Sequence, residues 1–156
     1  MTGRIGYARF QFMNFITYGV EAGYQLSDSF AVVGGLEAYS TRRNIPPELV
    51  PEGTNPVQWN TLVPIHVNGM YRPRDGDLKP FIGAGLQMIP AYVKEAQTVA
   101  FGLRGIGGLD QQLTSNFGIN LTASAGFWAG TEWYRIQGLM NTGFTAQISA
   151  GSVLSF

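Results

Sequence analysis

Alternation of apolar and small polar residues between Phe144 and Phe156, broken only at Ser152 and Val153, limits the fold of this chain more than any other feature. One phase of this segment holds Phe144, Ala146, Ile148, Ala150, Leu154 and Phe156, and the other holds Thr145, Gln147, Ser149, Gly151 and Ser155. Successive side chains of a β-strand point to opposite faces, so the pattern predicts a strand with one apolar face. The 21 glycines interrupt the chain too often for long helices. We therefore predict an all-β fold.

Seven further segments show the same period, and each is close to the roughly 9–11 residues of a tilted membrane strand. We predict eight strands at residues 4–12, 15–26, 30–40, 58–71, 81–92, 100–110, 119–127 and 144–156. Tight turns at 27–29 and 114–116 alternate with longer connections at 41–57, 93–99 and 129–138. This predicts a single domain, 1–156, folded as a closed antiparallel up-and-down β-barrel of eight strands. Pro64 lies inside a predicted strand and cannot donate to the ladder, so we expect a bulge or break there.

Composition decides which face of the barrel points outward. Only 13% of the residues are charged, and 10 Lys and Arg balance 10 Asp and Glu, so the chain has no basic surface for nucleic acid. The chain has no cysteine, which excludes disulfides and thiolate metal sites. Since the polar phases are mostly Gly, Ser, Thr, Asn and Gln, they suit a narrow interior better than a water-exposed surface. We expect the apolar phases to face lipid, as in a transmembrane barrel.

Four charged residues fall in the middle of predicted strands, namely Arg9, Glu21, Glu37 and Arg104. An arginine on the lipid face near the membrane centre costs about 2–4 kcal/mol, so we place all four inside the barrel. Hairpin pairing about a loop centred near Asn14 would bring Arg9 opposite Gly19, and Gly19 opposite Glu37. We predict an interior charge cluster, with a structural role favoured over a gate.

His66 and Asn68 lie on the polar phase of their predicted strand and are expected to form hydrogen bonds inside the barrel. A catalytic role for His66 is the less favoured alternative. His66 is the only histidine, and the scattered carboxylates do not form a ligand set with it, so we predict no metal and no cofactor.

The interior of an eight-stranded barrel is just wide enough for side chains to fill it. Glycines on the inward phases could leave water-filled space, whereas bulky residues on the same phases would close it. The expected bulky residues are Tyr7, Tyr39, Met70, Phe81 and Ile106. We favour a closed or very narrow lumen.

Two further features concern the outer surface. Gly105 and Gly107 are expected to pair approximately with Ala123 and Ala125, giving a shallow patch for a lipid chain or a partner protein, with ordinary sheet curvature as the favoured alternative. Aromatic residues cluster near both ends of the strands and predict two interfacial belts. We assign to these belts Tyr24, Phe30, Tyr71, Phe81, Phe117 and Phe156 at one end, and Phe12, Phe15, Trp59, Tyr92, Phe101, Phe127, Trp128, Trp133 and Tyr134 at the other.

The end of the chain resembles the C-terminal insertion signal of outer-membrane barrel proteins, through Gly151, Leu154 and the terminal aromatic Phe156. With the strand count and the alternating loops, the whole chain resembles the small OmpA-like, OmpX-like and OmpW-like barrels. This resemblance implies a Gram-negative outer-membrane location with both termini periplasmic. It also implies insertion by the outer-membrane machinery through the last strand, and contact with membrane lipid and lipopolysaccharide.

We expect a structural, surface-exposed or complex-subunit role, with an envelope protein as partner, and no enzymatic activity. The first alternative is a narrow channel for ions or small solutes, and the second is a lipid-modifying outer-membrane enzyme.

Overall fold

A computed structural model describes residues 1–11, 13–44, 57–73, 78–93, 96–130 and 140–154. Within these ranges the chain forms nine β-strands: β1 (Thr2–Phe10), β2 (Met13–Gln25), β3 (Phe30–Asn44), β4 (Val57–Leu62), β5 (Ile65–Tyr71), β6 (Leu78–Val93), β7 (Ala96–Gln112), β8 (Phe117–Gly130) and β9 (Thr142–Leu154). In this described part of the chain, no helix is long and apolar enough to cross a membrane.

The strands form one antiparallel sheet that closes on itself. Apart from β4 and β5, each strand pairs with the next along the chain, and β1 completes the ring by pairing with β9, with Tyr7 opposite Ile148. Because β4 and β5 both pair with β3 and together make one interrupted strand, the ring has eight strands. The predicted eight-stranded, up-and-down barrel is confirmed.

The interruption between β4 and β5 falls at Val63 and Pro64. Proline lacks the N–H that a ladder position needs, which accounts for a break at this point. The ring remains joined here because the Glu37 N–H donates to the Pro64 carbonyl at 2.9 Å. The local break expected at Pro64 is therefore present.

The two ends of the barrel differ. Met1, Leu154 and the connections at 26–29, 72–77 and 113–116 lie at one end, which we call the turn rim. The connections β1–β2, β3–β4, β6–β7 and β8–β9 lie at the other end, which we call the loop rim. At the turn rim, Met1 and Leu154 bond to each other through their backbones, the Leu154 N–H donating to the Met1 carbonyl at 2.7 Å.

Side chains alternate between the outer surface and the interior along every strand. On the outer surface, large apolar side chains are half or more exposed, among them Ile5, Ile16, Ile82, Leu86, Leu103 and Phe144. The assignment of Phe15, Phe81 and Trp128 to the aromatic belts was wrong, because their side chains are buried in the interior. Phe12, Trp133, Tyr134 and Phe156 lie outside the described residues, and the two interfacial belts stay a prediction. Aromatic residues occur on both phases near the strand ends, so alternation alone did not separate surface rings from interior ones.

Two apolar layers fill the interior at different heights. The upper layer, near the loop rim, contains Ala8, Phe10, Phe15, Tyr39, Leu62, Ile89, Ala100 and Trp128. The rings of Phe10 and Trp128 stack with their centroids 4.8 Å apart, and Phe15 meets Phe10 edge-on at 6.1 Å. The lower layer, nearer the turn rim, contains Val33, Met70, Phe81 and Ile106. Glu37, His66 and Arg104 are buried between these layers, each lying between an upper-layer and a lower-layer residue of its own chain segment.

Candidate functional site in the barrel interior

Arg104 is the centre of the buried polar layer. It lies two residues from the lower-layer Ile106 on β7 and projects inward towards β3. Its Nη1 and Nη2 donate to Glu37 Oε2 and Oε1 at 3.0 and 3.1 Å, which gives a two-pronged ion pair between side chains that are almost fully buried. Such parallel, charge-assisted bonds fix orientation as well as charge. The pair joins β7 to β3, which are not neighbours in the ring.

Gln147 extends this layer to β9. Its Oε1 accepts a hydrogen bond from Arg104 Nη2 at 3.1 Å and lies 3.2 Å from the Ser124 hydroxyl. Its Nε2 donates to the Thr17 hydroxyl at 3.1 Å. The Tyr39 hydroxyl lies 3.1 Å from both Glu37 Oε2 and Gln147 Oε1, and so connects the polar layer with the aromatic layer above it.

Glu21 forms the second half of the site, with Arg4 and His66. Arg4 Nη2 donates to Glu21 Oε2, and His66 Nε2 lies 2.9 Å from Glu21 Oε1. Arg104 Nη1 lies 3.1 Å from His66 Nδ1 and can only donate, so Nδ1 accepts and Nε2 carries the proton. His66 is therefore a neutral bridge between the two ion pairs, donating to Glu21 and accepting from Arg104.

A metal ion does not suit this arrangement. Glu21, Glu37 and His66 offer ligand atoms within 4.8 Å of one another, and they are the one such group in the described part of the chain. Arg4 and Arg104 already neutralise both carboxylates through direct bonds. A divalent cation would add two uncompensated positive charges to a buried, neutral cluster, which is strongly unfavourable. The donor set supports a closed ionic network instead.

Inward-facing glycines make room for these charged side chains. A Cβ at Gly35 would lie 2.6 Å from Glu21 Cγ and 2.8 Å from His66 Nε2. A Cβ at Gly19 would lie 2.9 Å from Glu37 Cγ, and one at Gly151 would lie 3.0 Å from Arg4 Cγ. Each glycine therefore occupies a place where the neighbouring strand's charged side chain lies flat against the wall. The space expected above these glycines holds side chains.

The structure brings three of the four predicted cluster residues together, Glu21, Glu37 and Arg104, but the placement of Arg9 was wrong. Arg9 faces outward and is exposed. The β1–β2 connection lies at Gln11 and residue 12, not near Asn14, so Arg9 pairs with Asn14 and Arg4 pairs with Gly19. Arg4 thus takes the position that was expected for Arg9. Tyr7, which shares the phase of Arg9, is also exposed and is not part of the interior plug.

Arg4 and Gln147 are the two site residues that the sequence analysis did not single out. Arg4 was treated as a strand-end charge, although Thr2, Arg4 and Ala8 form one phase of β1 and are all buried. Gln147 carried a clearer signal, because it is the only long side chain on the small polar phase of β9. A long amide among Thr, Ser and Gly at an inward position indicates a hydrogen-bonding partner across the interior.

The two remaining interior candidates lie on the phase that was expected. His66 is buried in the network described above, and Asn68 is fully buried two residues further along β5. The Asn68 side chain lies against the inner wall at Gly85, where a Cβ would be 2.7 Å from its Oδ1. Its Nδ2 and Oδ1 have no hydrogen-bond partner among the described residues, so the hydrogen bonding predicted for Asn68 is wrong.

The outward patch has direct cross-strand pairs. Gly105 pairs with Ala125, and Gly107 pairs with Ala123. A shallow outer groove of about 580 Å³ lies over Gly105 and Ala125, bounded by larger side chains that include Leu103 and Phe144. Binding of a lipid chain or a partner there stays a prediction.

The predicted insertion signal is described only in part. Gly151 pairs with Arg4 and with Asn120. Leu154 pairs with Phe117 and is exposed on the outer surface. Phe156 lies outside the described residues, and recognition of this strand by the insertion machinery stays a prediction.

No family model matches this chain, and no curated protein matches it in sequence. Solved structures do match it in fold. The Neisserial surface protein A is 15% identical with a TM-score of 0.68, covering 99% of this chain and 94% of its own. The N-terminal β-barrel domain of Pseudomonas aeruginosa OprF is 16% identical with a TM-score of 0.57, covering 97% and 94%. The outer-membrane enzyme PagL is 14% identical with a TM-score of 0.56, covering 99% and 98%. The chain has the fold of eight-stranded outer-membrane β-barrels.

Removing one charge of the Glu37–Arg104 pair should destabilise the barrel strongly. Glu37→Gln or Arg104→Gln leaves the other charge buried without its partner, so each should lower the free energy of unfolding by about 3–5 kcal/mol. The double variant should lose less than the sum, because it leaves no unpaired charge. Denaturant unfolding in detergent or lipid measures all three. Arg9→Gln is the control and should stay within about 0.5 kcal/mol, whereas a large effect of Arg9→Gln would contradict its outward placement.

Adjacent glycines on β3 provide a steric test of the flat packing. Gly35→Ala places a methyl group against Glu21 and His66 and should cost about 1–3 kcal/mol of unfolding free energy. Gly34→Ala should be nearly neutral, because its nearest new neighbour is the His66 carbonyl oxygen at 3.8 Å. Equal stabilities for the two variants would show that the charged side chains do not lie over Gly35.

Proposed function

We propose that this chain is an integral outer-membrane β-barrel with a closed lumen and a structural, surface-exposed or complex-subunit role. The outer surface supports the membrane location. Large apolar side chains cover it, and within the described residues Arg9 and Arg42, both near the loop rim, are the charged strand residues that face outward. A charge in the middle of the lipid-facing surface would be costly, and this surface avoids one.

The proposal of a closed lumen rests on three layers of side chains that fill the interior. Aromatic rings close the barrel below the loop rim, the Arg104 network crosses its middle, and Met70 and Phe81 close it nearer the turn rim. A cavity of about 240 Å³ lies at the turn rim, lined by Arg72, Lys79 and Asp110 among others. Since Phe81 lies beneath Arg72, with the guanidinium 5.0 Å from the ring centroid, this cavity is a recess at the mouth of the barrel.

The position of His66 favours a role without enzymatic activity. PagL shows that this fold can carry an enzyme. In the present chain, both ring nitrogens of His66 are engaged, by Glu21 and Arg104, and the residue is buried. A general base needs access to its substrate within hydrogen-bond reach, and His66 has no such access from the lipid face.

The orientation that we propose places the turn rim and both termini in the periplasm and the loop rim outside the cell. The longest connection, at residues 45–56, belongs to the loop rim, as is usual for extracellular loops of such barrels. Membrane lipid and lipopolysaccharide then surround the outer surface, and insertion through β9 and binding of an envelope partner are further parts of the proposal.

A planar-bilayer recording tests the closed lumen. The purified barrel, shown to be folded by its mobility shift on unheated gels, should give no steady single-channel current, because apolar layers lie above and below the charged network. The Glu37→Gln/Arg104→Gln double variant should also stay silent, since both apolar layers remain. Steady current from the unchanged protein would favour the channel alternative, and current from the double variant alone would identify the network as a gate.

Protease treatment of intact cells tests the orientation. Cleavage should fall in the 45–56 connection, and the turn at 27–29 should be protected by the outer membrane. Fragments mapped by mass spectrometry distinguish the two sites. Cleavage confined to the 27–29 turn would mean that the barrel is inserted the other way round.

A further inference from the structure

Two arginines face outward at the loop rim, one on each side of β2. Arg9 is the penultimate residue of β1 and pairs with Asn14 of β2. Arg42 lies two residues beyond Ser40 on β3, and Ser40 pairs with Ile16, two residues from Asn14. Arg9 and Arg42 therefore lie on either side of Asn14. Since neighbouring strands are about 4.8 Å apart, the two arginine side chains are close enough to contact one ligand together. We call Arg9, Asn14 and Arg42 the rim patch.

The rim patch has no acidic partner within the part of the chain that the structure describes. Arg9 Nε donates to the Gln11 carbonyl at 3.2 Å, which anchors the side chain at the rim. Its terminal amino groups donate to no described residue, and Arg42 makes no ion pair with one. The two guanidinium groups therefore present positive charge on the outer surface that no described residue compensates.

A ladder of hydroxyl groups lies directly below the rim patch on the same outer face. The Tyr18 hydroxyl is 3.0 Å from Ser40 Oγ, and Ser40 Oγ is 3.3 Å from Thr61 Oγ1. Below the ladder the same strands present exposed apolar side chains, including Val20 and Leu36. Along β3 the outward residues change from apolar Leu36 through the Ser40 hydroxyl to cationic Arg42, which matches the change from acyl chain to phosphorylated headgroup in a membrane lipid. On β2 the exposed Ile16 lies between Tyr18 and Asn14.

Among the described residues, the outward-facing charges at the loop rim both lie on one side of the barrel. On β7, β8 and β9, the described outward residues near the loop rim carry no charge, and Phe101, Phe127 and Phe144 are exposed. A general requirement for cationic anchors at the membrane interface would distribute arginines around the rim. Their concentration on β1 and β3, around Asn14, indicates a localised site.

We propose that the rim patch binds the phosphorylated headgroup of a lipid in the surrounding outer leaflet. Arginine donates in a planar fork that matches phosphate oxygens, and Asn14 adds an amide between the two forks. This inference rests on the proposed membrane location and orientation but not on the closed lumen. It would stand even if the barrel conducted ions.

Lipid binding to the purified, folded barrel tests the proposal. Lipid A, the phosphorylated glucosamine lipid that anchors lipopolysaccharide, is titrated into detergent micelles, and native mass spectrometry measures the bound fraction. Lipid A should bind at least about tenfold more tightly than phosphatidylcholine, and Arg9→Gln and Arg42→Gln should each weaken it about five- to tenfold, as expected for losing a charge-assisted bond. Salt should weaken binding in the same direction.

Lys79→Gln is the matched control, since it removes one positive charge at the opposite rim, where Lys79 bonds to Gln112 at 2.9 Å. It should leave lipid A binding unchanged, and gel mobility without heating confirms that each variant is folded. Wild-type affinity in both arginine variants, or an equal loss in Lys79→Gln, would overturn the proposal. Displacement of lipid A by millimolar pyrophosphate would assign the patch to free anions instead of a lipid. Protease orientation and bilayer current are measured separately, so failure here is distinguishable from failure of the proposed function.

Discussion

The narrow interior of an eight-stranded ring is the constraint on which the rest of this structure depends. Such a ring has room for side chains but little more, so large residues cannot project from every wall at one height. This chain resolves the conflict by placing glycine beside each charged residue. Glu21 lies over Gly35, Glu37 over Gly19 and Arg4 over Gly151. The high glycine content and the buried charges are therefore two parts of one packing solution.

Charge balance determines how the polar layer can persist between two apolar layers. Two arginines face two glutamates, and neutral His66 joins the pairs without adding charge. A buried ion pair repays the loss of hydration only where geometry is good and the remaining donors and acceptors are bonded. Both oxygens of Glu37 are bonded through the two-pronged contact with Arg104, whereas Arg104 Nε is buried without a hydrogen-bond partner among the described residues. Because the network joins β3, β7 and β9 across the lumen, it fixes the shape of the ring as well as its closure.

The fold and part of the site could be predicted from sequence because alternation is clean on most strands. Glu21, Glu37 and Arg104 share their phases with inward glycines, namely Gly19, Gly35 and Gly102, while the opposite phases hold exposed apolar residues, so their inward direction was readable. On β1 both phases carry aromatic residues, Tyr7 outside and Phe10 inside, so the sequence pattern does not show which phase faces the interior. The predicted inward phase of β1 therefore depended on the predicted position of the first hairpin. The sequence spacing placed the centre of this hairpin about two residues too far along the chain.

The spacing of the two arginines on β1 explains why only one of them is in the network. Arg4 and Arg9 are five residues apart, an odd number, so a regular strand must direct one inward and the other outward. Arg4 is the arginine that faces inward, and it pairs with Gly19 of β2, the strand next to β3, which carries Glu37. Phe10 lies on the same phase of β1 and belongs to the upper aromatic layer. Arg9 is then forced outward, and it is tolerated because the cost of an outward arginine falls to about 0–1 kcal/mol near the interface. β1 thus supplies one arginine, Arg4, to the interior and a second, Arg9, to the outer rim. Because the two are an odd number of residues apart, they must face opposite sides of the strand.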